Sequence, residues 1–171
     1  MTSQYSKPYR CWVYGNDVNT DVIFPGRYTY TITAPEEIAA HALEDLDSTF
    51  AGQVRPGDVI VAGRNFGCGS SREQAVTTLK HAGVNIIIAE SFSRIYFRNC
   101  INQGVLPVVC AGLSAIVKTG DIIEIDQQAH CISAGDRTFV IPALSPSVQA
   151  ILEAGGLVPM LQRRFKEQNP S

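Results

Sequence analysis

The run Gly63-Arg64-Asn65-Phe66-Gly67-Cys68-Gly69-Ser70-Ser71-Arg72-Glu73-Gln74 places three glycines, two serines and an arginine between an apolar stretch and a helical pattern. A strand-to-helix turn of this kind leaves backbone N–H groups unpaired at the positive end of a helix, and glycine lets a ligand approach the main chain. Arg72, expected in the first helical turn, adds a planar fork suited to carboxylate or phosphate. The chemistry this supports is anion binding. A hydroxyl held beside such positive charge also becomes a base or nucleophile, because the charge favours its deprotonated form. Two readings of the serines stand side by side. Ser70 with Glu73, or Ser71 with Gln74, fits a capping box that closes the helix start, while the other hydroxyl is left to face a ligand.

Other chemistries fail on spelling. A phosphate-binding P-loop needs lysine after its last glycine, and Gly69 is followed by Ser70. The dinucleotide fingerprint needs a third glycine where Arg72 stands. The segment Asp17-Val18-Asn19-Thr20-Asp21 opens like a calcium loop, but Val22 and Tyr28 occupy positions that require glycine and glutamate. A Cys68 thiolate in the positive loop is a weaker alternative, with His41, His81 and His130 as the chain's three histidines. The five cysteines are widely spaced and form no CxxC pair, so the expectation is reduced thiols, mostly buried, and no metal ligand set.

These residues need a frame to position them. The chain has 171 residues, 45% of them hydrophobic and 18% charged, which suits one domain over 1–171. Fourteen Lys and Arg against sixteen Asp and Glu give a net charge of -2 and no basic field for nucleic acid or anionic lipid. Residues 1–9 are polar and lack the apolar core of a secretory signal, and apolar runs are short, so the expectation is a cytoplasmic protein with no membrane span. Apolar, β-branched runs at 11–14, 58–62, 85–89, 105–110, 121–125, 131–132 and 138–141 read as strands. Helical spacing marks 35–46, 72–82, a segment capped by Ser93 and running to 101, and 146–154. Alternation of strand and helix predicts parallel βαβ units, and the late strands without helices predict a second, antiparallel layer. The fold class is α/β with mixed strand directions. Residues 159–168 read either as an amphipathic tail that docks on a partner or as a frayed surface helix.

Three ordered blocks carry a resemblance. NFGCGSSREQA at 65–75, GNDVNTDVIFPGRY at 15–28 and SFSRIYFRN at 91–99 resemble the swivel domain of the aconitase superfamily, and more closely the family of separate small subunits of 3-isopropylmalate dehydratase and homoaconitase. The resemblance implies a swivelling β/β/α domain that closes over a large subunit, whose cysteines hold a four-iron four-sulfur cluster. Neither cluster nor metal would be bound by this chain. It implies hydro-lyase chemistry on a small di- or tricarboxylate, with the cluster as Lewis acid for the departing hydroxyl. By the same resemblance Ser70 is the serine that abstracts the carbon-bound proton and Arg72 the arginine that binds substrate carboxylate. Gly69 and Ser71 belong to the same substrate-binding turn. Asp21 matches the family's active-site aspartate, against its plainer reading as a turn residue, and Arg27 is a candidate for the second carboxylate, against its reading as a surface arginine.

The departures bear on substrate. Some aconitase relatives carry histidine two residues after the arginine, where this chain has Gln74, which does not titrate near neutrality. The family's selectivity loop reads Thr29-Tyr30-Thr31-Ile32-Thr33, and no arginine lies between Thr29 and Ala34. That points to an apolar side group and so to 3-isopropylmalate, the substrate of leucine biosynthesis. Homoaconitate, methylmalate or citraconate, and dimethylmalate are the alternatives, and a stand-alone small-anion-binding module is the alternative of another class.

Overall fold

The computed structural model describes residues 4–170. In chain order the elements are β1 (Ser6–Val13), α1 (Thr20–Ile23), α2 (Pro35–Ala40), α3 (Phe50–Gln53), β2 (Val59–Ala62), α4 (Gln74–His81), β3 (Ile86–Ala89), α5 (Arg94–Asn102), β4 (Leu106–Val109), β5 (Ile122–Asp126), β6 (Cys131–Ala134), β7 (Arg137–Val140), α6 (Pro146–Glu153) and α7 (Leu157–Gln168). The strands form one sheet in the order β4-β3-β2-β1-β5-β6-β7. Its β1–β2–β3–β4 half is parallel and its β1–β5–β6–β7 half antiparallel. The expected mixed α/β fold is therefore present, with one correction: the late strands are not a second layer. They continue the same sheet through β1, whose residues Ser6–Arg10 pair with β5 and whose residues Cys11–Val13 pair with β2.

That handover explains why β1 begins at Ser6, five residues before the apolar run. Ser6 to Arg10 is paired on one side only, where Pro8 is tolerated because its missing N–H removes no ladder bond. The parallel strands are buried on both faces and so lack polar alternation. Ile60 and Ala62 of β2 face a core with Trp12, Leu43, Phe50, Val76, Leu79 and Tyr96. Val59 and Val61 face a second core with Cys11, Ile88, Ile123, Ile125 and Ile132.

A second correction concerns 35–46. The helix stops at Ala40, and Leu43 takes φ +57 so that its N–H bonds the Ile23 carbonyl at 2.9 Å instead of continuing the helical ladder. Ala42 and Leu43 are buried as the apolar spacing requires, whereas Leu46 is exposed. In α5, Ser93 caps as expected, accepting the Tyr96 N–H at 3.3 Å. In α7 the apolar Val158, Leu161 and Phe165 all remain exposed.

The sheet junction is tied by Asp58, at the base of β2. Its buried carboxylate takes the Arg10 guanidinium at 2.5 Å, the Trp12 indole N–H at 2.9 Å and the Arg55 backbone N–H at 2.9 Å. Burial pushes this carboxyl up, but the bonds from Arg10, Trp12 and Arg55, together with the Arg10 charge, bring it below its ordinary value. A carboxylate lowered on folding stabilises above its unfolded value near about 4, and that contribution is lost as pH falls through the folded value. Asp58→Ala is expected to cost about 3 kcal/mol at pH 7, because it leaves the Arg10 charge without its carboxylate and the Trp12 indole N–H without its acceptor. Urea titrations should show wild type losing stability between pH 5 and 3 by more than the variant does (roughly the linkage range of a lowered carboxyl).

Candidate active site

The three sequence blocks meet in one place, and backbone bonds do the joining. Residues 63–73 run from β2 to α4. Gly67 N–H donates to the Val18 carbonyl at 2.8 Å and Thr20 N–H to the Cys68 carbonyl at 2.8 Å, so the first block lies against the second. Phe66 N–H bonds the Ser91 carbonyl at 3.0 Å, Ser93 Oγ donates to the Gly67 carbonyl at 2.9 Å, and Asn99 Nδ2 donates to the Ser71 carbonyl at 3.0 Å, which brings in the third. Gly67 has to be glycine. Its φ is +78, and a Cβ there would stand 2.0 Å from the ring of the buried Tyr96.

On this frame Ser70 stands exposed, with its side-chain oxygen between two partners. Arg72 Nε donates to Ser70 Oγ at 2.9 Å, and the hydroxyl of Thr20 lies 3.0 Å from the same atom. Thr20 Oγ1 also accepts the backbone N–H of Ser70 at 2.9 Å. The rest of the Arg72 guanidinium is held by Thr29, whose Oγ1 accepts from Nη1 at 2.9 Å, and by Asp21, which pairs with Nη2. Gly26 backs this pair: a Cβ there would meet Arg72 Nη1 at 2.9 Å and Asp21 Oδ1 at 3.3 Å. The guanidinium is mostly covered at 21% exposure, while Asp21 is 73% exposed. Three of the five arginine N–H donors are engaged by these contacts, which leaves two for a ligand carboxylate.

Two expectations about the loop are corrected here. α4 begins at Gln74, so Ser70 and Arg72 precede the helix and Arg72 is not in its first turn. No capping box forms either, since α4 has no side-chain cap and Ser70 turns its oxygen to Thr20 and Arg72. Thr20 and Thr29 did not figure among the expected site residues, although both lie within or next to the 15–28 block. Ser71 is exposed, and Gly69 passes close to Thr20, with an ideal Cβ 3.0 Å from Thr20 Oγ1.

Arg27 points elsewhere. Its guanidinium pairs with Glu44 and, at 3.3 Å, with Asp45, and lies 4.8 Å over the Tyr28 ring. His41 bonds Glu44 at 2.5 Å and stacks on Tyr28, so this histidine is engaged by other partners than Cys68. Burial pushes the Cys11 thiol up to about 12, the Cys110 thiol to about 11, and the Cys100 thiol higher, which makes them core side chains rather than thiolates. Among the described residues no three His, Cys, Asp or Glu gather as a metal site. The donors present do not fit an iron-sulfur cluster, since three of the five cysteines are buried with their thiols pushed up and no three possible ligands gather among the described residues. A groove of about 880 Å³ lies between β1, β4 and the start of α6, and its lining does not include Ser70 or Arg72.

Residues 19–112 match the family described as the aconitase C-terminal domain. The chain belongs to that family. Its relatives include the 3-isopropylmalate dehydratase small subunit of Heliobacterium modesticaldum, 44% identical over 92% of this chain and 96% of that one. A homoaconitase small subunit from Methanothermobacter thermautotrophicus is 51% identical over 87% of this chain and 86% of its own length. The crystal structure of 3-isopropylmalate dehydratase from Methanocaldococcus jannaschii superposes with a TM-score of 0.88 at 43% identity, covering 95% of this chain and 97% of that one. The resemblance carried by the three blocks thus extends over the whole fold, and the relatives are hydro-lyase subunits.

Gly67→Ala is expected to lose about 3 kcal/mol, from the positive φ together with the collision on Tyr96. Thermal unfolding of the isolated chain checks this, and an unchanged melting temperature would contradict the contact.

Proposed function

We propose that this chain is the small subunit of a hydro-lyase that interconverts 2- and 3-isopropylmalate by dehydration and rehydration, working as one swivelling domain with a large subunit in the cytoplasm. The observation that carries the reading is the 2.9 Å bond from Arg72 Nε to Ser70 Oγ, within a family whose relatives are dehydratase small subunits. A serine hydroxyl is a poor base until its alkoxide is stabilised, and a fixed guanidinium N–H provides such stabilisation. Ser70 Oγ takes the proton from the carbon next to a substrate carboxylate, and the electron pair of that C–H bond forms the double bond as hydroxide leaves the neighbouring carbon. Return of water across the double bond in the opposite sense completes the isomerisation, with Ser70 giving its proton back.

Arg72 holds the carboxylate through its two uncommitted donors, and Asp21 balances the charge when the site is empty. Gly69 and Ser71 line the same turn. Arg27 is the candidate for the second carboxylate: its side chain is more than half exposed, and it would release Glu44 and Asp45 to turn to substrate. A four-iron four-sulfur cluster held by the large subunit would supply the Lewis acid for the departing hydroxyl; among the described residues of this chain no three His, Cys, Asp or Glu gather to hold one. In support of the location, no helix among the described residues is long and apolar enough to cross a membrane.

A homoaconitate substrate is the second reading, favoured by the 51% identical homoaconitase small subunit. The absence of arginine between Thr29 and Ala34 favours an apolar side group and so 3-isopropylmalate over homoaconitate, with methylmalate, citraconate and dimethylmalate as further alternatives. The reading is tested by anaerobic affinity capture of the chain from its own cells, with partner mass, iron content and turnover of both substrates measured on the eluate. A larger iron-containing partner and isopropylmalate turnover are expected; a chain captured alone, without iron, under conditions that preserve such clusters would favour a stand-alone anion-binding module. In the same complex Ser70→Ala should lower turnover by about 10³-fold with association intact, as for loss of a general base. Arg72→Lys should raise KM by about 10 to 100-fold, through loss of charged hydrogen bonds.

A further inference from the structure

Thr20 is 1% exposed, yet the serine it touches faces solvent. Its main chain is fixed on both sides: its N–H donates to the Cys68 carbonyl at 2.8 Å, and its carbonyl accepts the Phe24 N–H at 3.0 Å. Asn19 closes the first turn behind it by accepting the Val22 N–H at 2.9 Å. The hydroxyl therefore has little freedom of position. It accepts the Ser70 N–H at 2.9 Å, which occupies one lone pair, and lies 3.0 Å from Ser70 Oγ.

A threonine hydroxyl carries one proton and two lone pairs. While Ser70 keeps its own proton, either hydroxyl satisfies the contact between the two oxygens. When Ser70 is deprotonated only one arrangement survives, with Thr20 as donor and the serine oxyanion as acceptor. Arg72 Nε donates to the same oxygen at 2.9 Å. The oxyanion then has two fixed donors, one charged and one neutral.

We propose that Thr20 is a positioning residue for the base: its hydroxyl is the second donor to the Ser70 alkoxide and lowers the pH at which Ser70 becomes competent. This rests on the reading of Ser70 as the base. A Thr20 that merely supports the loop predicts something different, a loss of active complex with no change in pH dependence.

The test uses the reconstituted complex, with Ser70→Ala as reference. Thr20→Val removes the donor at nearly constant volume and is expected to lower kcat by about 100-fold, the scale of one lost oxyanion donor. KM should stay within about twofold, because the contact acts on the alkoxide rather than on bound substrate. The ascending limb of the kcat profile should move up by about one pH unit or more, and the isotope effect on substrate deuterated at the abstracted position should grow, as proton transfer becomes harder. Thr20→Ser keeps the hydroxyl and should restore both the rate and the limb. A Thr20→Val complex with an unchanged pH limb overturns the role. Loss of activity in Ser70→Ala beside that result would leave the base reading standing, whereas full activity in Ser70→Ala would remove the base and this role together.

A measurement on the isolated chain covers the case in which Thr20→Val fails to assemble. Proton NMR should show the buried Thr20 hydroxyl in slow exchange and shifted by Ser70→Ala. A resonance that ignores the loss of the serine oxygen overturns the proposal.

Discussion

Three segments have to hold one another in register before any side chain of the site can act, and the bond from Thr20 N–H to the Cys68 carbonyl sets that register. It ties the start of α1 to the glycine loop at 2.8 Å, and the Gly67 bond to Val18 repeats the tie one step away. Ser70, Arg72 and Asp21 meet because of these main-chain contacts rather than because they attract one another. Side-chain attraction alone is a poor guide here, since exposed ion pairs contribute little on their own and lose side-chain entropy on pairing. A loop anchored at its backbone positions a base far better than one held by surface charges.

The sheet explains why such a loop sits where it does. In a parallel half-sheet the loops leaving the carboxyl ends of neighbouring strands lie side by side, so those after β1, β2 and β3 become neighbours without any long connection. The blocks at 15–28, 65–75 and 91–99 are those three loops and the helix starts that follow them. The antiparallel half contributes no residue to the site. It completes burial of the second core, while the Asp58–Arg10 pair between the base of β2 and β1 holds β1 at the handover between the two halves.

Much of this was legible in the sequence, and what escaped has physical reasons. The seven apolar runs are strands because β-branched residues bounded by turn formers leave little else, and the mixed direction follows from where helices intervene. The single sheet escaped because residues 6–10 are polar and include Pro8, which reads as a leader rather than a strand until β5 is there to pair with it. The shortened α2 escaped because the bond that stops it comes from Ile23, far away in sequence. Ser70 and Arg72 were visible from their types and the company they keep, and Asp21 through the resemblance its block carries. Thr20 and Thr29 were not, because a threonine in a turn carries no signal of what its hydroxyl will face once two distant loops meet.

The exposure pattern bears on how the site works. Ser70, Ser71 and Asp21 open to solvent, and the groove between β1, β4 and α6 does not include them. An alkoxide in open water is solvated, and its hydrogen bonds to Thr20 and Arg72 then compete with water; the same donors gain strength when water is excluded. A proton abstraction of this kind therefore calls for a cover over Ser70, which is exposed to solvent. The buried hydroxyl behind Ser70 and the open face in front of it divide the task in a way that suits a two-subunit enzyme. On the proposed reading, this chain pre-sets Ser70 as base and Arg72 as carboxylate fork on a rigid frame, and closure by a second surface would make them effective at the moment substrate is enclosed.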